Sequence, residues 1–154
     1  MIKMPLTILM IMLSVLAFGQ APKDADQIII RNNKNAADNF LLVKEYLAQK
    51  SILIAQQDKD VKQILTGNIG GEKVRYLFFC KDSTIIISGR YINGVDYNSG
   101  FGSVLKDNER RIMNRGGSYK KGFVAMEHFA RNFGTSITYS ISFREANMKN
   151  DDVY

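Results

Sequence analysis

The segment 73–92 constrains the fold more than any other part of this sequence, because it predicts a β-hairpin that is apolar on both faces. Both arms are rich in β-branched and aromatic residues, and residues 81–83 between them have turn chemistry. Since side chains alternate along a strand, Tyr76 and Phe78 point to one face while Phe79 points to the other. We therefore expect the hairpin to lie in the middle of a sheet.

Two amphipathic helices flank this hairpin along the chain. Asn35 is expected to cap the first helix, because its side chain can accept a hydrogen bond from a free N–H of the first turn. Ser118 is expected to cap the second helix, and Gly134 to end it. At helical spacing the first core-facing stripe consists of Ala36, Phe40, Val43 and Leu47, and the second of Tyr119, Phe123, Met126, Ala130 and Phe133.

The remaining apolar runs predict strands. They lie at 27–31, 51–57, 61–68 and 136–143, and the short turns between the middle strands favour an antiparallel meander. Residues 93–117, rich in Gly, Asn and charge, are expected to form a long loop. The sequence therefore predicts the α+β class: a single antiparallel sheet in the chain order β-α-β-β-β-β-α-β, with both helices packed on one face.

The chain is expected to be exported. Residues 1–19 have the features of a secretory signal peptide: a positive start, an apolar run and small residues at the cleavage position. A linker at 20–26, one α+β domain at 27–143 and a polar C-terminal tail at 144–154 are expected to follow. We expect a soluble periplasmic or secreted protein without a stable membrane anchor after cleavage.

A resemblance to a known group of proteins accompanies this layout. The matching features are a helix carrying Phe40 and Tyr46, the turn and strand at 57–67, and the late helix at 123–130. In these features the chain resembles small exported bacterial domains of unknown function with a TATA-binding-protein-like fold. The resemblance implies a fold and export, and no catalytic residues. The final strand, after the second helix, departs from the minimal form of that fold.

Catalytic chemistry has few candidates in this sequence. Cys80 is the only cysteine and His128 the only histidine, so a site with a cysteine nucleophile and a histidine base would have to use these two residues. A thiol at the end of an apolar strand is typical of a core, however. We expect no catalytic residues, no metal site and no cofactor. The alternative is a small secreted hydrolase that uses Cys80 and His128.

Two surfaces are candidates for binding. If both helices cover one face of the sheet, the other face presents either Tyr76 and Phe78 or Phe79 to solvent, and such apolar patches usually mark interfaces. In the alternative, the loop at 93–117 folds over that face and closes the core. The second candidate is the basic segment 106–121, which either binds an acidic group or serves solubility alone. Its candidate binding residues are Arg110, Arg111, Arg115, Lys120 and Lys121.

These patterns together predict an exported, non-enzymatic binding domain. The formal net charge is +6, and +5 remains once Lys3 leaves with the signal peptide. A positive charge favours an acidic partner, and the alternative is the mild basicity of many secreted proteins that have no such partner. The expected partner is a protein, a second copy of this chain or an acidic glycan, and an inhibitor of an exported enzyme is a further alternative. Nucleic acid is not expected, because export removes access to it and the hairpin carries few basic residues.

Overall fold

The computed structural model of the protein describes residues 21–69, 73–93 and 108–142. The strands are β1 (Gln27–Arg31), β2 (Ile54–Asp58), β3 (Gln63–Thr66), β4 (Val74–Lys81), β5 (Thr84–Asn93), β6 (Asn108–Arg111) and β7 (Ser136–Ser140). The helices are α1 (Ala36–Gln49), between β1 and β2, and α2 (Ser118–Ala130), between β6 and β7. All strand pairs are antiparallel, in the order β2-β3-β4-β5-β1-β7, and β6 pairs with the C-terminal half of β5.

The α+β class, with one antiparallel sheet and two helices, is confirmed, but the sheet has a strand more than expected. The added strand, β6, lies within 93–117, so the prediction of a continuous loop is wrong there. Its pairing is continued by the amide of Ile112, which donates to the carbonyl of Gly89 (2.9 Å). Ile112 is fully buried and anchors this segment in the core. Residues 94–107 lie outside the described residues.

The hairpin of β4 and β5 forms the centre of the sheet, as the sequence predicts. The two strands pair continuously up to their turn at Asp82 and Ser83. This turn is held against the start of α1, because the amide of Ser83 donates to the carbonyl of Lys34 (2.7 Å) and the carboxylate of Asp82 accepts from the amide of Ala36 (2.8 Å). A carboxylate is favourable at this place, since the first amides of a helix have no partner within it.

The helix α1 begins as predicted. Asn35 is its N-cap, and the side-chain oxygen of Asn35 accepts a hydrogen bond from the amide of Asp38 (2.9 Å). The predicted stripe is buried at Phe40, Val43 and Leu47. Asn39 is also fully buried: its Nδ2 donates to the carbonyl of Lys81 (2.8 Å), and its Oδ1 accepts from Asn32 (2.7 Å). These hydrogen bonds tie α1 to the central hairpin and to the end of β1.

The helix α2 differs from the prediction at both ends. Gly117, with a φ of 70°, takes the N-cap position, so Ser118 is the first helical residue and not the cap. At the other end the side chain of Asn132 donates to two carbonyls of the last turn. Gly134 follows well after the helix and serves close packing instead, because a Cβ there would lie 2.8 Å from Cγ2 of Ile30.

Both helices cover the same face of the sheet, and the core lies between them and that face. Along β4 the buried residues alternate with partly exposed ones, and the buried set is Val74, Tyr76, Phe78 and Cys80. Phe129 of α2 joins the two helices over this set, with its ring centroid 5.2 Å from that of Tyr46 and 5.1 Å from that of Tyr76. The other face of the sheet carries the partly exposed residues.

The segment before β1 makes contacts that the sequence does not indicate. Ala25 is fully buried, and the side chain of Asn114 donates to the carbonyl of Ala21 (2.7 Å). Arg115 pairs with Asp24, the two side chains being 2.7 Å apart. Residues 21–26, expected to form part of a linker, are thus held against the chain between β6 and α2.

Several predictions concern residues at the two ends of the chain. The expected signal peptide at 1–19 and the expected tail at 144–154 lie outside the described residues. The predicted last strand at 136–143 is observed as β7, which ends at Ser140. Within the part of the chain that the structure describes, no helix is long and apolar enough to cross a membrane.

Candidate functional site

The open face is the face of the sheet opposite the two helices, and it is the first candidate site. Tyr76 and Phe78 do not belong to it, because both are buried on the helix-covered face. Phe79 points the other way and is partly exposed. Of the two arrangements that the sequence leaves open, the structure therefore has Phe79 on the open face, while Tyr76 and Phe78 are core residues.

The cross-strand register places the apolar side chains of the open face side by side. One row across strands β3, β4, β5, β1 and β7 consists of Gln63, Phe79, Ile86, Ile29 and Thr138. The neighbouring row consists of Leu65, Leu77, Ser88, Gln27 and Ser140. The apolar patch is the set of five partly exposed hydrophobic residues in these rows: Ile29, Leu65, Leu77, Phe79 and Ile86.

A row of three arginines borders the apolar patch. Arg75, Arg90 and Arg111 lie opposite one another on β4, β5 and β6, and like charges at this spacing repel. Glu109 offsets the repulsion, because its carboxylate lies 2.5 Å from the guanidinium of Arg90 and 3.8 Å from that of Arg75. Arg111 pairs with the buried carboxylate of Asp26 (3.1 Å). Three arginines and two acids leave this arginine row positively charged.

A hollow of about 210 Å³ lies where the arginine row meets the apolar patch. Its walls include Leu77, Ser88, Arg90 and Arg111. A smaller hollow of about 70 Å³ lies beside Leu77 and Leu65. The surface therefore combines hydrophobic side chains, which can bury an apolar group, with guanidinium groups, which can bind a carboxylate by charge-assisted hydrogen bonds.

The other predicted basic residues lie in different surroundings, although Lys120 and Lys121 line one hollow beside Gly117. Arg115 pairs with Asp24, and this hydrogen bond lowers the pKa of the Asp24 carboxyl below its usual value. Arg110 is exposed on β6, where its side chain alternates away from the open face. Lys120 and Lys121 are exposed on α2. The described part of this segment, residues 108–121, therefore contributes to separate surfaces.

A groove of about 490 Å³ lies between α2 and β7. Val124 and Ile137 contribute apolar walls. Glu127 accepts hydrogen bonds from Arg131 and from the hydroxyl of Tyr139. Burial raises the pKa of Tyr139, and the charge of Glu127 adds to the effect. The sequence does not indicate this groove, because the position of β7 depends on its pairing with the distant β1.

Cys80 and His128, the predicted alternative catalytic pair, lie in very different surroundings. Cys80 is buried on the helix-covered face, and burial raises the pKa of its thiol to about 12. The nucleophilic thiolate is therefore scarcely populated at neutral pH. His128 is exposed on α2, beside Lys121 and Val124. A buried, protonated thiol and an exposed imidazole do not provide the contact that a nucleophile needs with its base.

Metal-binding residue types are scattered in the described ranges. Among residues 21–69, 73–93 and 108–142, no three His, Cys, Asp or Glu side chains are grouped as ligands of one metal ion would be. Two acids beside the open face, Asp26 and Glu109, bind arginines, and a third, Asp58, lines the small hollow beside Leu65 and Leu77.

No family model matches this chain, and no match is found among curated proteins or among solved structures. The residues of this chain and their geometry are therefore the basis on which a function is proposed.

The sequence identifies Phe79 but not most of its neighbours on the open face. Alternation along the strand also places Leu77, two residues before Phe79, on the same face. Leu65, Ile86 and Ile29 come from three other strands, and only the register brings them beside Phe79. The arginine row has the same origin, since its members lie on three different strands.

Proposed function

We propose that this protein is an exported, non-enzymatic binding domain that holds another protein on the open face of its sheet. The observation that carries the proposal is the contiguous apolar patch on a face that neither helix covers. Apolar patches rimmed by polar residues usually mark interaction sites. The arginine row favours a partner with an acidic group beside its own apolar side chains, because complementary charge sets orientation and specificity.

A protein fits this face better than an acidic glycan does. The patch residues Leu77, Phe79 and Ile86 gain most when they contact hydrophobic side chains, because removal of apolar surface from water is the favourable term. A glycan would use the arginine row and would cover the apolar patch with polar groups. The apolar patch therefore supports the protein partner, and the arginine row alone would support the glycan.

The test compares Phe79→Asp with Leu41→Asp as a matched control. Both variants place a carboxylate where a hydrophobic side chain is solvent-accessible, but Leu41 lies on α1 and is 53% exposed, away from the open face. Immobilised wild type and Leu41→Asp should retain the same protein from the exported fraction of the cells that make it. Phe79→Asp should bind that protein at least about tenfold more weakly, because a central aromatic contact is lost and a charge is buried.

The same variants distinguish a protein partner from an acidic glycan. Equal retention of the captured protein by Phe79→Asp and by the wild type would contradict a site on the apolar patch. Salt-sensitive binding of the wild type to an anionic polysaccharide column, unchanged in Phe79→Asp, would identify the arginine row as the binding surface and a glycan as its ligand.

The proposal includes a TATA-binding-protein-like fold and export from the cell. An antiparallel sheet with both helices on one face supports the layout. The charge and hydropathy pattern of residues 1–19 supports export. Protein recovered from the exported fraction should begin at or near Gln20 when its N-terminus is sequenced. Recovery of an uncut chain from the cytoplasm alone would contradict export.

A further inference from the structure

The outer edge of β7 carries backbone groups that have no partner strand among the described residues. The amide of Asn32 donates to the carbonyl of Ser83 (3.0 Å), so the backbone N–H and C=O groups of every second residue back from Asn32 point to β5. The backbone groups of the intervening residues of β1 point to β7, where their partners are Ser136, Thr138 and Ser140. The N–H and C=O groups of Ile137 and Tyr139 therefore point away from the sheet.

β7 also lacks three of the features with which proteins usually protect an edge strand: a charge, a proline and a bulge. Residues Ser136–Ser140 include no charge and no proline, and their register with β1 is regular. The strand at the other end of the order, β2, has a register shift between Ile54 and Gln56 and ends in Asp58. Bulges and charges discourage pairing with another chain, so the edge at β2 is protected while the edge at β7 is open to it.

The sequence of β7 is symmetric about Thr138 by side-chain type. Hydroxyl side chains lie on the open face, and Ile137 and Tyr139 lie on the helix-covered face. If two copies of β7 pair antiparallel about a two-fold axis at Thr138, Ile137 of one copy lies opposite Tyr139 of the other, and Thr138 lies opposite Thr138. Aromatic–β-branched and Thr–Thr pairs are favourable cross-strand neighbours. The outward backbone groups of Ile137 and Tyr139 then form the hydrogen-bonded pairs.

We infer that a second copy of this chain pairs with β7 along this edge, giving a two-fold symmetric dimer with a continuous sheet. Val124 on α2 is 41% exposed and Ile141, directly after β7, is 50% exposed, and both lie beside the edge that the second copy covers. The groove between α2 and β7 is lined by both signs of charge, Lys120 and Arg131 with Glu127. A surface with both signs can complement its own symmetric copy, whereas a surface of one sign would repel it.

The dimer has a consequence for the open faces. A two-fold axis perpendicular to the sheet keeps equivalent faces on the same side, so both apolar patches lie on one surface of the joined sheet. Such a dimer could bind a bivalent or repetitive partner more tightly than one copy does. The edge pairing depends on β7 and its neighbours alone and not on the proposed function of the open face.

The first experiment measures molar mass by light scattering during gel filtration. Thr138 is exposed on the open face, so Thr138→Lys brings the positive charges of the two copies together at the two-fold axis. Gln56→Lys adds the same charge to β2, away from that axis. Wild type and Gln56→Lys should have twice the monomer mass. Thr138→Lys should dimerise at least about tenfold more weakly. A wild type that is monomeric at every concentration, or a Thr138→Lys variant that dimerises like the wild type, would overturn the inference.

The second experiment uses Thr138→Cys with Gln56→Cys as its control. Opposing residues of a non-hydrogen-bonded pair have Cα atoms about 4.5 Å apart, which is within the range of a disulfide. Oxidised glutathione, which takes up the two electrons, should convert Thr138→Cys into a covalent dimer and leave Gln56→Cys without a covalent link between its copies. The buried Cys80 is not expected to take part. Absence of the Thr138→Cys dimer, or a disulfide formed only with a different protein, would exclude the second copy as the occupant of this edge.

Discussion

At Cys80, burial determines what the residue can do. Its thiol lies on the helix-covered face of β4, where the charged thiolate would lose its hydration without gaining a partner charge. Burial therefore raises the pKa of the thiol from 9.0 to about 12, and Cys80 stays protonated and hydrophobic. The same residue on the surface would be the most reactive nucleophile of the chain.

The free energy of unfolding should fall as the pH rises from 9 toward 12. Over this range the folded protein keeps the thiol proton while the unfolded chain loses it, so deprotonation favours unfolding; the full stability is present below pH 9. At a pH of about 10 the loss from Cys80 should be about 1 kcal/mol. Urea denaturation of wild type and Cys80→Ala at pH about 7 and about 10 measures it.

Cys80→Ala should show a smaller decline with pH than the wild type. A remaining decline is expected from Tyr46 and Tyr139, whose pKa values are also raised by burial. Identical declines in the two proteins would show that the Cys80 thiol is not a source of the pH dependence.

At the scale of secondary-structure elements, close packing on the sheet depends on Gly89 of β5. A Cβ at this position would lie 2.7 Å from Cδ1 of Ile112 and 3.1 Å from Sδ of Met126. Ile112 follows β6 and Met126 belongs to α2, so the absence of a side chain lets both segments pack directly over the centre of β5. The sequence alone shows a glycine in a strand and not what approaches it.

Gly89→Ala should destabilise the protein by about 1–3 kcal/mol, because two buried side chains must move to admit the methyl group. Ser88→Ala is the matched control: it is the adjacent residue on β5, its side chain faces the open face, and its effect should stay within about 0.5 kcal/mol. Urea denaturation of both variants measures the difference. Equal stability of the two variants would contradict the close packing at Gly89.

At the scale of the whole molecule, the sheet separates a core side from a surface side. Tyr76 is 4% exposed and contacts Phe129 of α2, whereas Phe79 lies on the open face with Ile86 opposite it on β5. The two residues are three positions apart in one strand and have similar rings. Their different surroundings result from where the helices pack.

Tyr76→Asp should therefore unfold the domain or destabilise it by about 4 kcal/mol, because it buries a carboxylate without a partner. Phe79→Asp should cost about 1–2 kcal/mol and leave the fold intact, because its carboxylate can reach water. Circular dichroism during thermal unfolding distinguishes the two. A Phe79→Asp variant as unstable as Tyr76→Asp would show that the open face is covered in the folded protein.

Features that depend on contacts between residues close together in the chain could be predicted from the sequence, and features that depend on distant residues could not. Asn35 and the α1 stripe were predicted because a helix is built from contacts between residues three and four apart. β6 was missed because Asn108–Arg111 lacks apolar alternation, and its strand conformation depends on pairing with the distant β5. The cap of α2 was misplaced by one residue because Gly117, with its positive φ, takes the position expected for Ser118.

The sequence by itself determined the α+β class, the two helices and the central hairpin, because each is specified by a local periodicity of apolar residues. Only the tertiary structure decided which hairpin face is buried. Both alternating sets of β4, Tyr76 with Phe78 and Leu77 with Phe79, consist of large and mainly apolar side chains. Alternation therefore does not indicate which set is buried, and the packing of α1 and α2 decides it. The apolar patch, the arginine row and the edge at β7 likewise depend on register between strands far apart in the chain, which no local pattern encodes.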